Sequence, residues 1–132
     1  MFNSIKSILV VGGYIAIFYM LISMLNNYHV LYPFSKFFSL LFNSDINTSN
    51  AITNGIIEMT RGCKELSMLN LTQKQALVLS TGLISFGGIS IFVQALTFLN
   101  RFKISLKYYF LSKCTQTIIS IVFAIIFGCL FL

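Results

Sequence analysis

The chain has 132 residues, of which 57% are hydrophobic and only 9% charged, and its mean hydropathy is +0.87. A soluble domain of this size buries roughly two-thirds of its chain surface and must cover the rest with polar groups. The composition therefore excludes a soluble enzyme, a disordered chain and a secreted disulfide scaffold, and leaves an all-α polytopic membrane protein. A transmembrane β-barrel is not expected, because the apolar runs are continuous rather than alternating. The net charge of +6 comes from nine Lys or Arg against Asp45, Glu58 and Glu65. These basic residues sit singly or in short groups between apolar runs, as loop and interface charges do, so no nucleic-acid role is expected. Cys63, Cys114 and Cys129 have no C-x-x-C spacing and support neither a disulfide framework nor a zinc site.

The first element is the apolar run Ile8–Leu25 behind Lys6. The span expected over 7–25 is near the minimum of about 18 residues that crosses a bilayer at ~1.5 Å per residue. Asn26-Asn27-Tyr28-His29 follows without the small-x-small site of a cleaved signal peptide, so the helix is read as retained. Gly12 and Ala16 would let another helix approach closely. Val30–Phe42 holds Pro33 and Lys36, and at roughly 20 Å it is too short for the ~30 Å hydrocarbon core. With Ala51–Thr60 it is expected to form short interfacial or re-entrant helices over 30–60, joined by a polar turn at Asn43–Asn50. Arg61–Lys74 reads as a loop of mixed charges. A full span over 76–99 carries Gly87-Gly88 at its centre, where a Gly pair favours a break. Arg101, Lys103 and Lys107 form a basic connection. The last span, over 107–132, has Lys113 near its start, able to snorkel, and Ser120, Ala124 and Gly128 as a small-residue packing face. The whole of 1–132 is expected to be a single membrane domain. Its basic residues divide five to four across the membrane: Lys6, Arg101, Lys103, Lys107 and Lys113 against Lys36, Arg61, Lys64 and Lys74. That is a slight lean to a cytoplasmic amino terminus.

Polar groups that cost energy in lipid mark the candidate site. In Gly55-Ile56-Ile57-Glu58-Met59-Thr60-Arg61-Gly62, a continuous helix would put Gly55, Glu58 and Gly62 on one face. Glu58 is then either a functional carboxylate at membrane depth or an interfacial group paired with Arg61 or Lys64. In the second stretch, Gly87, Ser90, Gln94, Thr97 and Arg101 fall on one helical stripe. Unwinding at Gly87-Gly88 would free backbone N–H and C=O groups to line a cavity, as broken transporter helices do. The alternative is a close helix contact at the Gly pair, with Gln94 as interhelical glue. Short apolar segments beside an interrupted helix point to a binding site. His29 reads as an interfacial residue, and Phe34, Phe37, Phe38 and Phe42 as one apolar face. No catalytic pattern is present, so no enzyme activity, metal or cofactor is expected.

Those same residues carry a family resemblance. Gly55–Gly62 resembles the G-x-x-E-x-T-x-G element of the YlbJ-type sporulation integral membrane proteins. Phe86-Gly87-Gly88-Ile89-Ser90-Ile91-Phe92-Val93-Gln94 resembles their F-G-G-x-S-x-x-x-Q element. The likeness is specific over 51–132, which matches the family's carboxy-terminal part, and general in hydropathy over 1–50. It implies a nucleoside-recognition "Gate" domain, half of an inverted-repeat transporter fold with re-entrant hairpins and broken helices. It also implies a role in endospore formation in Firmicutes, linked to passage of dipicolinic acid. By the same resemblance, Glu58 and Thr60 lie at a hairpin tip, and Gly87, Gly88, Ser90 and Gln94 at a helix break, as substrate- or ion-binding residues. Family members are much longer, so the first repeat is missing from this sequence.

The expected protein is thus a Gate-domain half in a bacterial cell membrane, with a forespore membrane implied by the resemblance, taking part in small-molecule transport. A homo-oligomer or a second membrane chain would supply the missing repeat. The competing readings are a non-transporting membrane partner, a truncated or split transporter, and a holin-like pore former.

Overall fold

The structure, a computed structural model, describes residues 2–99 and 105–131, with side chains described for 5–96 and 105–131. All regular elements in that part are helices: α1 (Phe2–Asn27), α2 (Tyr32–Phe42), α3 (Ile46–Ile57), α4 (Met59–Ser67), α5 (Gln73–Phe86), α6 (Gly88–Leu99) and α7 (Leu106–Phe131). Three stretches are long and apolar enough to cross a membrane: Ile5–Asn27, Gln73–Leu96 and Leu106–Phe131. The fold expected from composition and hydropathy is the one observed, and the chain is a multi-pass membrane protein. The middle stretch is interrupted, because α5 ends at Phe86, Gly87 caps it and α6 begins at Gly88.

Each short helix has a local cause. The chain leaves α1 through His29, which takes a left-handed φ of 54°, and Pro33 pre-sets the first turn of α2. The 11 residues of α2 reach about 16 Å, roughly half a bilayer core. Its outward face is apolar and exposed at Phe34, Phe37, Leu40 and Leu41, while Ser35 on its inner face is buried. Asn43, left-handed at φ 45°, ends α2, and the Ser44 N–H closes the last turn on the Ser39 carbonyl at 3.2 Å. Thr72 caps α5 in a capping box with Gln75.

Three expectations need correction. The polar turn is confined to 43–45, because Ile46–Asn50 is the first turn of α3. Arg61–Ser67 is helical rather than loop: Glu58 supplies an N-cap that lets α4 start at Met59. Gly55, Glu58 and Gly62 do not share one helix face, because Glu58 is extended (φ −139°, ψ 111°) and folds the chain into an α3–α4 hairpin. Gly55 and Gly62 instead meet across that hairpin. A Cβ on Gly62 would lie 2.2 Å from the Gly55 Cα, so only glycine permits the crossing. The Ala124/Gly128 part of the last span is the packing face expected of it, and α5 is the helix that packs there: Gly128 lies against Leu77 and Lys74, and Gly82 faces Ile121.

The small apolar core is Ala51, Leu66 and Leu83, from α3, α4 and α5. Phe86 against Phe110, and Phe92 against Tyr109 and Phe110, join the broken span to the start of α7 through ring contacts of 5.5–6.5 Å.

Candidate functional site at two facing helix breaks

The two interrupted elements meet. Gly87 and Gly88 both take left-handed backbone angles, φ 81° and 75°. Only glycine adopts two such conformations in succession without strain. The Gly87 N–H closes α5 on the Leu83 carbonyl at 2.9 Å. At Gly88, a Cβ would stand 3.2 Å from each of three backbone oxygens, those of Gly55, Ile56 and Ile57. These belong to the last turn of α3, where helical carbonyls have no partner four residues on. The negative end of α3 thus abuts the positive end of α6, a favourable arrangement of helix dipoles.

Around this contact the buried groups are polar. Glu58 is 1% exposed, and its Oε2 accepts the Arg61 N–H at 2.8 Å and the Thr60 hydroxyl at 2.5 Å. The carboxylate caps α4, where the helix dipole favours negative charge. Thr60 itself is exposed at the tip. On α6, Ser90 is fully buried and Gln94 is 9% exposed, and the Gln94 amide donates to the Ser90 hydroxyl at 3.2 Å. The Thr97 side chain and Arg101 lie outside the described residues. Glu58 and the Ser90–Gln94 pair share no hydrogen bond. The backbone of Gly88 against α3 is what brings their two helices together.

A second set of residues escaped the sequence reading. Arg61 reaches across to α1, where its guanidinium donates to the Tyr19 carbonyl (2.9 Å) and the Ser23 hydroxyl (2.6 Å) and lies 4.7 Å over the Tyr19 ring. Its Nε pairs with Glu65 at 2.9 Å. Glu65 in turn accepts from the Asn54 amide at 2.7 Å, and Asn54 accepts from Asn26 at 3.2 Å. A cavity of about 310 Å³ opens on this chain of bonds, lined by Asn26, His29, Tyr32, Asn50, Asn54 and Glu65. The i, i+4 spacing of Arg61 and Glu65 was a usable signal for their pairing. Nothing local linked them to Tyr19 or Asn26, more than thirty residues upstream. Burial first, and then the nearby Glu58 carboxylate, push the Cys63 thiol up from its ordinary value.

Among the described residues no group of three His, Cys, Asp or Glu could hold a metal ion. The polar groups at the two breaks are a carboxylate, a hydroxyl, an amide and backbone groups.

No family model and no solved structure matches the chain. It is similar to the sporulation integral membrane protein YlbJ of Bacillus subtilis (strain 168), with 26% identity over 127 residues, which cover 94% of this chain and 31% of that protein. The chain therefore spans about a third of the length of the curated relative it matches. The likeness also takes in most of residues 1–50, where the motifs alone gave only a general resemblance. Composition, three spanning helices and this similarity agree on an integral membrane protein.

Proposed function

We propose that the protein serves endospore formation by taking part in the passage of a small polar molecule across a membrane, dipicolinic acid by the family resemblance. Glu58, Thr60, Gly87, Gly88, Ser90 and Gln94 are its candidate binding residues. The observation that carries this reading is the apposition of two helix breaks, Gly88 of one standing against the last carbonyls of α3 beside the other, with Glu58, Ser90 and Gln94 buried nearby. Irregular backbone at membrane depth persists where it lines a cavity or is buried in protein, and transporters place solute sites there. An ionised Glu58 would repel a dicarboxylate. Its role is therefore hairpin closure or cation coordination, with Ser90, Gln94 and the first N–H groups of α6 nearer the anion. Alternating access requires a moving counterpart, and a second copy or another membrane chain is the proposed source of it.

A specific observation favours a second reading, a non-transporting membrane partner: the Glu58 carboxylate is engaged through Oε2 as a cap of its own hairpin. The test is a pair of variants, Glu58→Gln and Gln94→Ala, scored by spore dipicolinate content in a strain that depends on this protein. At normal expression, a severalfold drop in either variant supports the transport site. Wild-type content in both reduces the two residues to packing groups and leaves the partner reading standing.

A further inference from the structure

One helix face in the structure is polar where it should meet lipid. Along α7, Ser112, Gln116, Ser120, Ala124 and Gly128 recur every four residues, a row that winds about 40° around the helix at each step. Its second half is an established helix contact, with Ala124 buried and Gly128 against Leu77 of α5. The first half runs on uncovered: Ser112 and Gln116 are exposed, and Ser120 is half-buried. A groove of about 540 Å³ follows it, lined by residues of α7 that include Ser112, Thr115, Gln116 and Ser120.

The depth of Gln116 follows from the helix register. Leu77 lies against Gly128 and Gly82 against Ile121, so α5 and α7 run antiparallel. Continuing that register brings Gln116 level with the end of α5 at Phe86–Gly87, in the middle of the Gln73–Leu96 span. The Thr115 hydroxyl is satisfied by the Leu111 carbonyl at 2.9 Å, but the Gln116 amide has no hydrogen-bond partner among the described residues. Beyond it the exposed residues of α7 are apolar: Ile118, Ile119, Val122, Phe123, Ile125 and Ile126. An unpaired amide in hydrocarbon costs free energy that a neighbouring helix recovers.

We infer that the Ser112–Gln116–Ser120 face of α7 docks the same face of a second copy of this chain about a two-fold axis. The chemistry favours self-pairing. A primary amide carries both donors and acceptors, so two Gln116 side chains related by a two-fold satisfy each other. Serines four residues before and after are small enough to let the two backbones approach, and the row already serves as a helix interface one turn further on. This surface is independent of the Glu58–Gln94 site, and its test needs no transport assay.

The test is same-residue disulfide crosslinking in native membranes, with Cys63, Cys114 and Cys129 replaced by Ser or Ala. Cys placed at 112, 116 or 120 should give a dimer band on oxidation, and Cys placed at 118, on another side of α7, should not. In the Ser120→Cys background, Gln116→Leu should lower the dimer yield about five- to tenfold, as loss of one interhelical polar pair does. Gln116→Asn should restore part of it, at protein levels checked in the same membranes. The inference is overturned if position 118 crosslinks as well as 112 and 120, if Gln116→Leu leaves the yield unchanged, or if the crosslinked product contains a different protein in place of a second copy.

Discussion

The hairpins α2–α4 and the helix pair α5–α7 are held together by opposite means. Around α3, the buried residues are Thr48, Ser49, Thr53, Asn54 and Glu58, with Ala51 and Ile52 as the apolar members. Ser35 bonds Thr53 at 3.2 Å, Ser44 meets Ser49 at 2.9 Å, and Asn54 joins Glu65 and Asn26. Between α5 and α7, by contrast, the contacts are Gly82 with Ile121, Gly128 with Leu77, and aromatic rings. Both regions turn apolar surface outward. Lipid tails are as apolar as leucine, so helices gain nothing from hiding apolar faces from them. What remains is hydrogen bonding, used by the hairpins, and close van der Waals fit, used by α5 and α7. The polar set is complete: no buried side-chain nitrogen or oxygen among the described residues lacks a partner. That is the condition under which a buried polar network specifies a structure rather than weakening it.

The contrast predicts different tolerance to the same change. Gly62→Ala should have the largest effect. Its methyl would sit 2.2 Å from the Gly55 Cα and 2.9 Å from the Ala51 carbonyl oxygen, and backbone cannot step aside. A loss of about 3 kcal/mol is expected, read as a fall in thermal midpoint in detergent and in membrane-inserted protein. An unchanged midpoint would mean that the hairpin is not crossed this tightly.

Next comes Arg61→Ala, which strands Glu65 beside Asn54 and unties α4 from α1. Both partners are mostly but not wholly buried, so about 2 kcal/mol is expected, between the values for surface and buried pairs. In a double-mutant cycle, Arg61→Ala with Glu65→Gln should lose less than the sum of the two single changes. Strict additivity would show that the pair is not coupled.

The matching change in the other region is Gly128→Ala. Its methyl would meet only the Leu77 and Lys74 side chains, at 3.6 and 3.9 Å, which is ordinary contact. Removing a helical glycine there should stabilise by about 0.5 kcal/mol. Destabilisation comparable to Gly62→Ala would erase the distinction between the regions.

The smallest expected effect is chemical. Burial is the main cause of the raised Cys63 thiol and Glu58 the second. Glu58→Gln should therefore lower that pKa part of the way toward the ordinary value. More thiolate is then present at mildly alkaline pH, and alkylation of Cys63, with Cys114 and Cys129 replaced, should quicken modestly. No change in rate would place the Glu58 charge elsewhere.

Some of this was open to sequence reasoning because it is local. Whether a helix can span depends on its own length and hydropathy, and Ile8–Leu25 and the last helix declare both. The break at Gly87-Gly88 is likewise local, since two adjacent residues without Cβ are what consecutive left-handed angles require. Glu58 was noticed because a carboxylate in an apolar setting needs a reason. Its role as a cap, however, depended on the chain stopping α3 at Ile57, which a helical repeat of Gly55, Glu58 and Gly62 concealed.

What only the tertiary structure decided is which distant groups meet. Helical periodicity gives the direction of each side chain about its own axis and carries no information on the neighbour found there. Thus Gly55 and Gly62 became two sides of one crossing, Ala124 and Gly128 were taken by α5, and Arg61 found Tyr19, Ser23 and Glu65. Hydropathy along the chain fixes how many helices enter the membrane. The few polar bonds and glycine contacts between helices, invisible to any window of sequence, fix how those helices stand together.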